Sequence, residues 1–142
     1  MLDADVMTLV TERIPRDGFG GYMDFQVDEV SLDRCQLRLP LRDVILNAGG
    51  IVHGGAISAL VDTAATAAAW ATNDAAEPRR GTTVGFAINF LNPGRESDLI
   101  ADARVIQRGG RLTIIDVLVN NDSGTAIAKA QVTYKIALKR TV

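Results

Sequence analysis

Residues 46–70 read LNAGGIVHGGAISALVDTAATAAAW. A glycine-rich turn opens the stretch, His53-Gly54-Gly55 follows, and about five helical turns then run to Trp70 without a breaker. Ala, Leu, Ile and Val occupy nearly every side, the pattern of a helix enclosed in a core. At about 1.5 Å per residue its reach is roughly 27 Å, enough to cross a small domain. It is too short and too often interrupted by polar groups to span a bilayer. Ser58, Asp62 and Thr66 are spaced i, i+4, i+8 and so share one stripe of that helix. A carboxylate on a buried helix is unfavourable unless it is paired, hydrated or used in chemistry. Asp62 is therefore the residue to explain.

Before this helix, Leu2, Val6, Val10 and Ile14 recur every fourth residue, predicting a short amphipathic helix that stops at Pro15. Asp17-Gly18 and Gly20-Gly21 then predict a loop. A weak strand is expected over 25–30, and Cys35, Leu37, Leu39 and Leu41 alternate with Gln36 and Arg38 as a half-buried strand. The helix is expected to run out near Thr72-Asn73.

Beyond it the chain is nearly all strand. Thr82, Val84, Phe86, Ile88 and Phe90 form one face of a run, with Thr83, Gly85, Ala87 and Asn89 on the other. Asn92-Pro93-Gly94 turns the chain, and Leu99 to Ile106 alternates. Gly109-Gly110 signals a two-residue hairpin, and Asn121 to Gly124 another turn. The last strand is the clearest, with Ala126, Ala128, Ala130, Val132, Tyr134, Ile136 and Leu138 on one parity. Short hairpins demand antiparallel pairing. The economical fold is α+β, one curved antiparallel sheet wrapped around a long central helix, expected as a single domain over 1–142 with an N-terminal helix and loop over 1–20.

The bulk properties narrow the function. Net charge is −2 and aromatic residues make up only 5% of the chain, which argues against nucleic acid as the main partner. Cys35 is the only cysteine and His53 the only histidine, too few for a four-ligand zinc site, and no metal is expected. The nucleophile-elbow, dinucleotide and phosphate-loop patterns are missing. Asp3 and Asp5 near the start, without a basic and then apolar leader, make a cytoplasmic protein the expectation, with no membrane partner.

What chemistry remains lies on the central helix. The first N–H groups of a helix have no partner within it, and the macrodipole adds partial positive charge there. Glycines at that end let a substrate atom come close. Such an end can hold the oxyanion of acyl transfer, while Asp62 supplies a nucleophile or a base. Gly54 and Asp62 are eight residues apart, about 12 Å along the axis, so one carbonyl could hardly meet both in one chain. Two chains related by a two-fold axis would solve this, Gly54 coming from one and Asp62 from the other. Read singly, Asp62 could equally be a structural carboxylate bonded to Ser58, and Asn47 a turn residue.

Asn47-x-x-Gly50-x-x-His53-Gly54-Gly55 followed by Asp62, together with the FAINFLNP run at 86–93, resembles the PaaI-like branch of the hotdog-fold thioesterases. The resemblance covers about 25–138. It implies acyl-CoA thioester hydrolysis by a homodimer or homotetramer, with no cofactor beyond the coenzyme A of the substrate. It implies that Gly54 N–H polarises the thioester carbonyl, that Asn47 helps to place it, and that Asp62 of a neighbouring subunit attacks or activates water. Thr83 falls where some relatives carry a water-orienting serine, and His53 takes a positioning role. Gly55 and the hairpin Arg108-Gly109-Gly110-Arg111 are implied as substrate-binding, the latter at the nucleotide. The alternatives are a hotdog module that binds acyl-CoA without turnover, and a hydratase of the same fold.

Overall fold

The computed structural model describes residues 1–139. The alternating second half forms β3 (Gly81–Phe90), β4 (Leu99–Arg108), β5 (Leu112–Asn121) and β6 (Ala126–Ile136). With β1 (Gln26–Ser31) and β2 (Arg34–Leu39) they make one six-stranded sheet of order β1-β2-β4-β5-β6-β3, antiparallel throughout. One face of each central strand is apolar. Leu37 and Leu39, Leu99 and Ala101, Ile115 and Val117, and Val132 and Ile136 are all buried there. Each fully buried Leu, Ile or Val contributes about 1.5–3 kcal/mol, so the register is strongly specified.

The long helix, α3 (Gly54–Trp70), lies on this inner face. Ala64, Ala65, Ala68 and Ala69 are fully buried, and their small side chains let it sit close to the strands. It ends at Trp70, two residues before the expected point, because Ala71 leaves helical geometry at φ −76°, ψ 61°. Nor is it enclosed on all sides. It packs mainly on β2, β4, β5 and β6, and only lightly against β3. A stripe containing Ser58, Ala59, Asp62, Thr63 and Thr66 is consequently left partly exposed.

Other local features differ from the sequence pattern, each for a steric or hydrogen-bonding reason. The first helix, α1 (Ala4–Thr8), continues as one π-helical turn over Leu9–Arg13, where Ile14 N–H donates to Leu9 O at 2.9 Å. The expected loop around Gly20-Gly21 holds instead a short helix, α2 (Phe19–Met23). Its first turn lies on the carbonyls of Pro15 and Arg16, where a Cβ at Gly20 or Gly21 would collide with backbone. The β4–β5 connection is Gly109–Arg111 rather than a two-residue loop, closed by Gly109 N–H to Leu112 O at 2.8 Å.

The most consequential difference is in β3. A bulge lies between Thr83 and Gly85. Thr83 pairs with Tyr134, Phe86 with Val132 and Ile88 with Ala130. Paired residues share a face, so Thr83 joins Phe86, Ile88 and Phe90 on the helix side, while Thr82 and Ala87 face outward. The uniform alternation read from sequence therefore changes parity at Val84. β3 is also an outer edge of the sheet, with Val84, Phe86, Phe90 and Leu91 exposed. Among the described residues, no helix is long and apolar enough to cross a membrane.

Candidate active site

The start of α3 is anchored before the helix begins. Val52 N–H donates to Gly94 O at 3.0 Å and His53 N–H to Ile45 O at 2.8 Å. His53 is the N-cap, extended at φ −60° and ψ 133°, and its Nδ1 accepts the Gly55 N–H at 2.7 Å. That bond uses the lone pair on Nδ1, so His53 shapes the helix end as a hydrogen-bond acceptor. Gly54 N–H has no hydrogen-bond partner among the described residues. The Phe90 ring lies against Gly54, 3.4 Å from where a Cβ would stand. Asn47, Ile51, Gly54, Ile57 and Phe90 line a cleft of about 320 Å³ here. Asn47 Oδ1 accepts from Gly49 N–H at 2.9 Å and Ile51 N–H at 3.3 Å, fixing the glycine turn. Its Nδ2 has no partner among the described residues and remains available as a donor.

Asp62 lies outside this cleft, two turns further along α3. Thr83 Oγ1 donates to Asp62 Oδ1 at 2.6 Å. The bulge after Thr83 is what turns that hydroxyl inward, so the pair exists because β3 breaks its alternation. Ser58, the other partner considered for Asp62, instead donates to Gly54 O at 2.9 Å. Tyr134, in register with Thr83, accepts from Trp70 Nε1 at 2.9 Å. Burial raises the Tyr134 phenol above its ordinary range, the Trp70 bond opposes this, and the Asp62 charge adds to it. The buried Tyr134–Trp70 pair thus backs the carboxylate as a neutral wall. Its proximity followed from the β3–β6 register, which sequence spacing alone does not supply.

The hairpin cations divide. Arg108 Nε donates to Asp33 Oδ1 at 2.8 Å, and its Nη2 to Ala69 O at 2.8 Å and Ala68 O at 3.3 Å. It thereby closes the C-terminal end of α3, where a cation is favoured by the macrodipole. Arg111 has no carboxylate partner among the described residues and borders an open cleft with Arg80 and Lys135. No group of three or more His, Cys, Asp or Glu suited to a metal ion occurs among the described residues.

The architecture and the glycine-ended helix agree with what related chains show. The sequence profile of the thioesterase superfamily matches residues 49–128, more than half of the chain. The chain belongs to the thioesterase superfamily. This thioesterase is 25% identical over 127 residues to a provisionally named esterase of Saccharolobus solfataricus, covering 89% of this chain and 83% of that one. Its fold matches a thioesterase family protein from Silicibacter pomeroyi with a TM-score of 0.84 at 24% identity, over 94% of this chain and 98% of that one. It matches the E. coli PaaI protein of the phenylacetic acid degradation operon with a TM-score of 0.84 at 18% identity, over 99% and 100% of the two chains. A Streptococcus mutans protein bound to acetyl-CoA matches at TM-score 0.73 and 26% identity, over 82% of this chain and 91% of that one. The thioesterase is a thioester hydrolase on a PaaI-like hotdog fold.

Proposed function

We propose that the thioesterase hydrolyses acyl-CoA thioesters at composite sites, each built from Gly54 of one chain and Asp62 of a two-fold partner. The observation that carries this is how the two ends of edge strand β3 are tied. Thr83, near its start, holds Asp62, whereas Phe90, at its end, lies on Gly54. Seven residues separate them, about 24 Å of extended chain. Antiparallel pairing of two β3 edges lays the start of one strand beside the end of the other. Asp62 then faces the partner's Gly54, and the exposed Val84 and Phe86 are covered. Two such dimers joining as a tetramer would preserve the same sites.

In this reading Gly54 N–H and Asn47 Nδ2 donate to the thioester carbonyl oxygen and stabilise the oxyanion as it forms. Thr83 occupies Asp62 Oδ1, leaving Oδ2 to take a proton from the attacking water. Water oxygen bonds to the acyl carbon, the carbon–sulfur bond breaks, and the proton passes to the departing thiolate. The products are a carboxylic acid and free coenzyme A. His53 and Gly55 hold the helix end in shape. Acyl-CoA as substrate is supported by the acetyl-CoA bound to the Streptococcus mutans neighbour.

Release of thiol from acetyl-, hexanoyl-, palmitoyl- and phenylacetyl-CoA tests the reading. Burial pushes the Cys35 thiol up to about 12, so a thiol reagent reads product rather than protein. Turnover of at least one of these is expected. Tight acyl-CoA binding with no release from any of them would overturn it.

A further inference from the structure

Ser58, Asp62 and Thr66 mark the open stripe of α3, and one further step of four residues brings that stripe to Trp70. There it closes, since Thr66 is partly exposed and Trp70 is buried. We infer that the Trp70 indole is the end wall of an acyl lane leading from Asp62, and that it selects compact acyl groups over long-chain ones. The inference rests on the acyl-CoA reading above and narrows it to a class of acyl group.

Two neighbours hold the indole in place. Its Nε1 donates to the Tyr134 hydroxyl oxygen at 2.9 Å. Tyr134 pairs in the sheet with Thr83, whose hydroxyl binds Asp62, so wall and carboxylate are registered through one strand pair. Gly81 leaves the space that the two rings fill. A Cβ there would stand 3.0 Å from Trp70 Cζ2 and 2.6 Å from Tyr134 Cε1.

Beyond the indole lies space that the lane does not reach. Trp70 and Gly81, with Leu9 and Ile14 of the first helical segment, border a cleft of about 950 Å³. Asp62, Thr66 and Thr83 do not border it. The indole therefore stands between the carboxylate's stripe and this cleft, and a smaller side chain at 70 would join the two. Large aromatic rings in close-packed surroundings make firm stops, because their neighbours give way little.

The acyl tail has one direction to take. From Asp62 toward Ser58 the stripe returns to the chain's own Gly54, which in the two-fold arrangement serves the second site. Toward Thr66 it serves this site alone and ends at Trp70. Asp62 and Trp70 are eight residues apart, about 12 Å along the axis, and both side chains lean toward the helix start. A hexanoyl chain or a phenylacetyl ring fits that span. An extended palmitoyl chain overruns it.

Trp70 is the sole tryptophan, so protein fluorescence reads the wall directly. S-alkyl-CoA thioethers resemble the substrate and cannot be hydrolysed. S-hexyl-CoA is expected to change the emission saturably, and S-ethyl-CoA to compete with it while leaving the emission near that of the free protein. In kinetics, the wild type is expected to favour hexanoyl- over palmitoyl-CoA by about tenfold or more in kcat/KM. Trp70→Leu should raise the palmitoyl-to-hexanoyl ratio of kcat/KM by about tenfold. Thr66→Leu, which fills the lane from a partly exposed position, should lower the hexanoyl-to-acetyl ratio by a similar factor. A merely structural role for Trp70 would lower all rates alike and leave the ratios unmoved. An emission that ignores S-hexyl-CoA or answers S-ethyl-CoA equally, no preference for hexanoyl over palmitoyl, or unmoved ratios in the folded variants would overturn the wall. Acyl-CoA turnover with a silent indole ends this inference alone. An indole that answers S-hexyl-CoA without turnover of any acyl-CoA ends the hydrolytic reading and leaves the wall standing.

Discussion

Asp62 is the only charged side chain on the open stripe of α3, and one of its oxygens is taken by Thr83 at 2.6 Å. Asp62→Asn preserves shape and keeps an acceptor for Thr83 while removing the charge. Turnover of a competent acyl-CoA is expected to fall by at least about 100-fold, the scale of a lost general base, with the melting temperature little changed. A full-rate variant would exclude Asp62 from the chemistry. Gly54 permits a sharper substitution. It is the first helical residue, and the preceding His53 is already extended at ψ 133°. Proline suits both positions, so Gly54→Pro removes the N–H without breaking the helix. A fall of about 100- to 1000-fold in kcat with an unchanged circular dichroism spectrum is expected, matching the loss of an oxyanion donor. Gly54→Ala, which keeps the N–H, is the matched control.

At the scale of elements, Arg108 belongs to the helix it closes. Arg108→Ala removes its hydrogen bonds to Asp33 and to the Ala68 and Ala69 carbonyls. A loss of about 1–3 kcal/mol of stability by denaturant unfolding is expected. Unchanged stability with a raised KM for acyl-CoA would instead assign Arg108 to the nucleotide, the role the resemblance implied. This contact shows where sequence reading stops. Strands 99–108 and 126–136 were legible because one buried face imposes period two, and α3 because an unbroken apolar run follows the glycine-rich turn and His53-Gly54-Gly55. Arg108 looked like a loop cation because Asp33 and Ala69 lie far from it in the chain. The Val84 bulge left the composition alternating while it reversed the faces, hiding that Thr83 meets Asp62. The two glycine positions over Pro15 and Arg16 read as a loop because composition does not reveal the tight local turn that brings each against a carbonyl five residues back.

For the whole molecule, the decisive quantity is which chain supplies which half of a site. Gly54 and Asp62 of one chain are separated by about 12 Å along one helix, and the Gly54 cleft does not include Asp62. Mixing two inactive variants separates the possibilities. When Asp62→Asn and Gly54→Pro chains are co-expressed with different tags, random association makes about half of the dimers mixed. In each mixed dimer one site combines both defects and the other combines Asp62 of one chain with Gly54 of its twin. The pool should then recover about one quarter of wild-type turnover, and purified mixed dimers about one half. Were each site contained within one chain, every site in the mixture would carry one defect and no activity would return. Retention of both tags through two successive affinity steps confirms that the two kinds of chain have met, so inactivity there counts against the shared site and not against assembly.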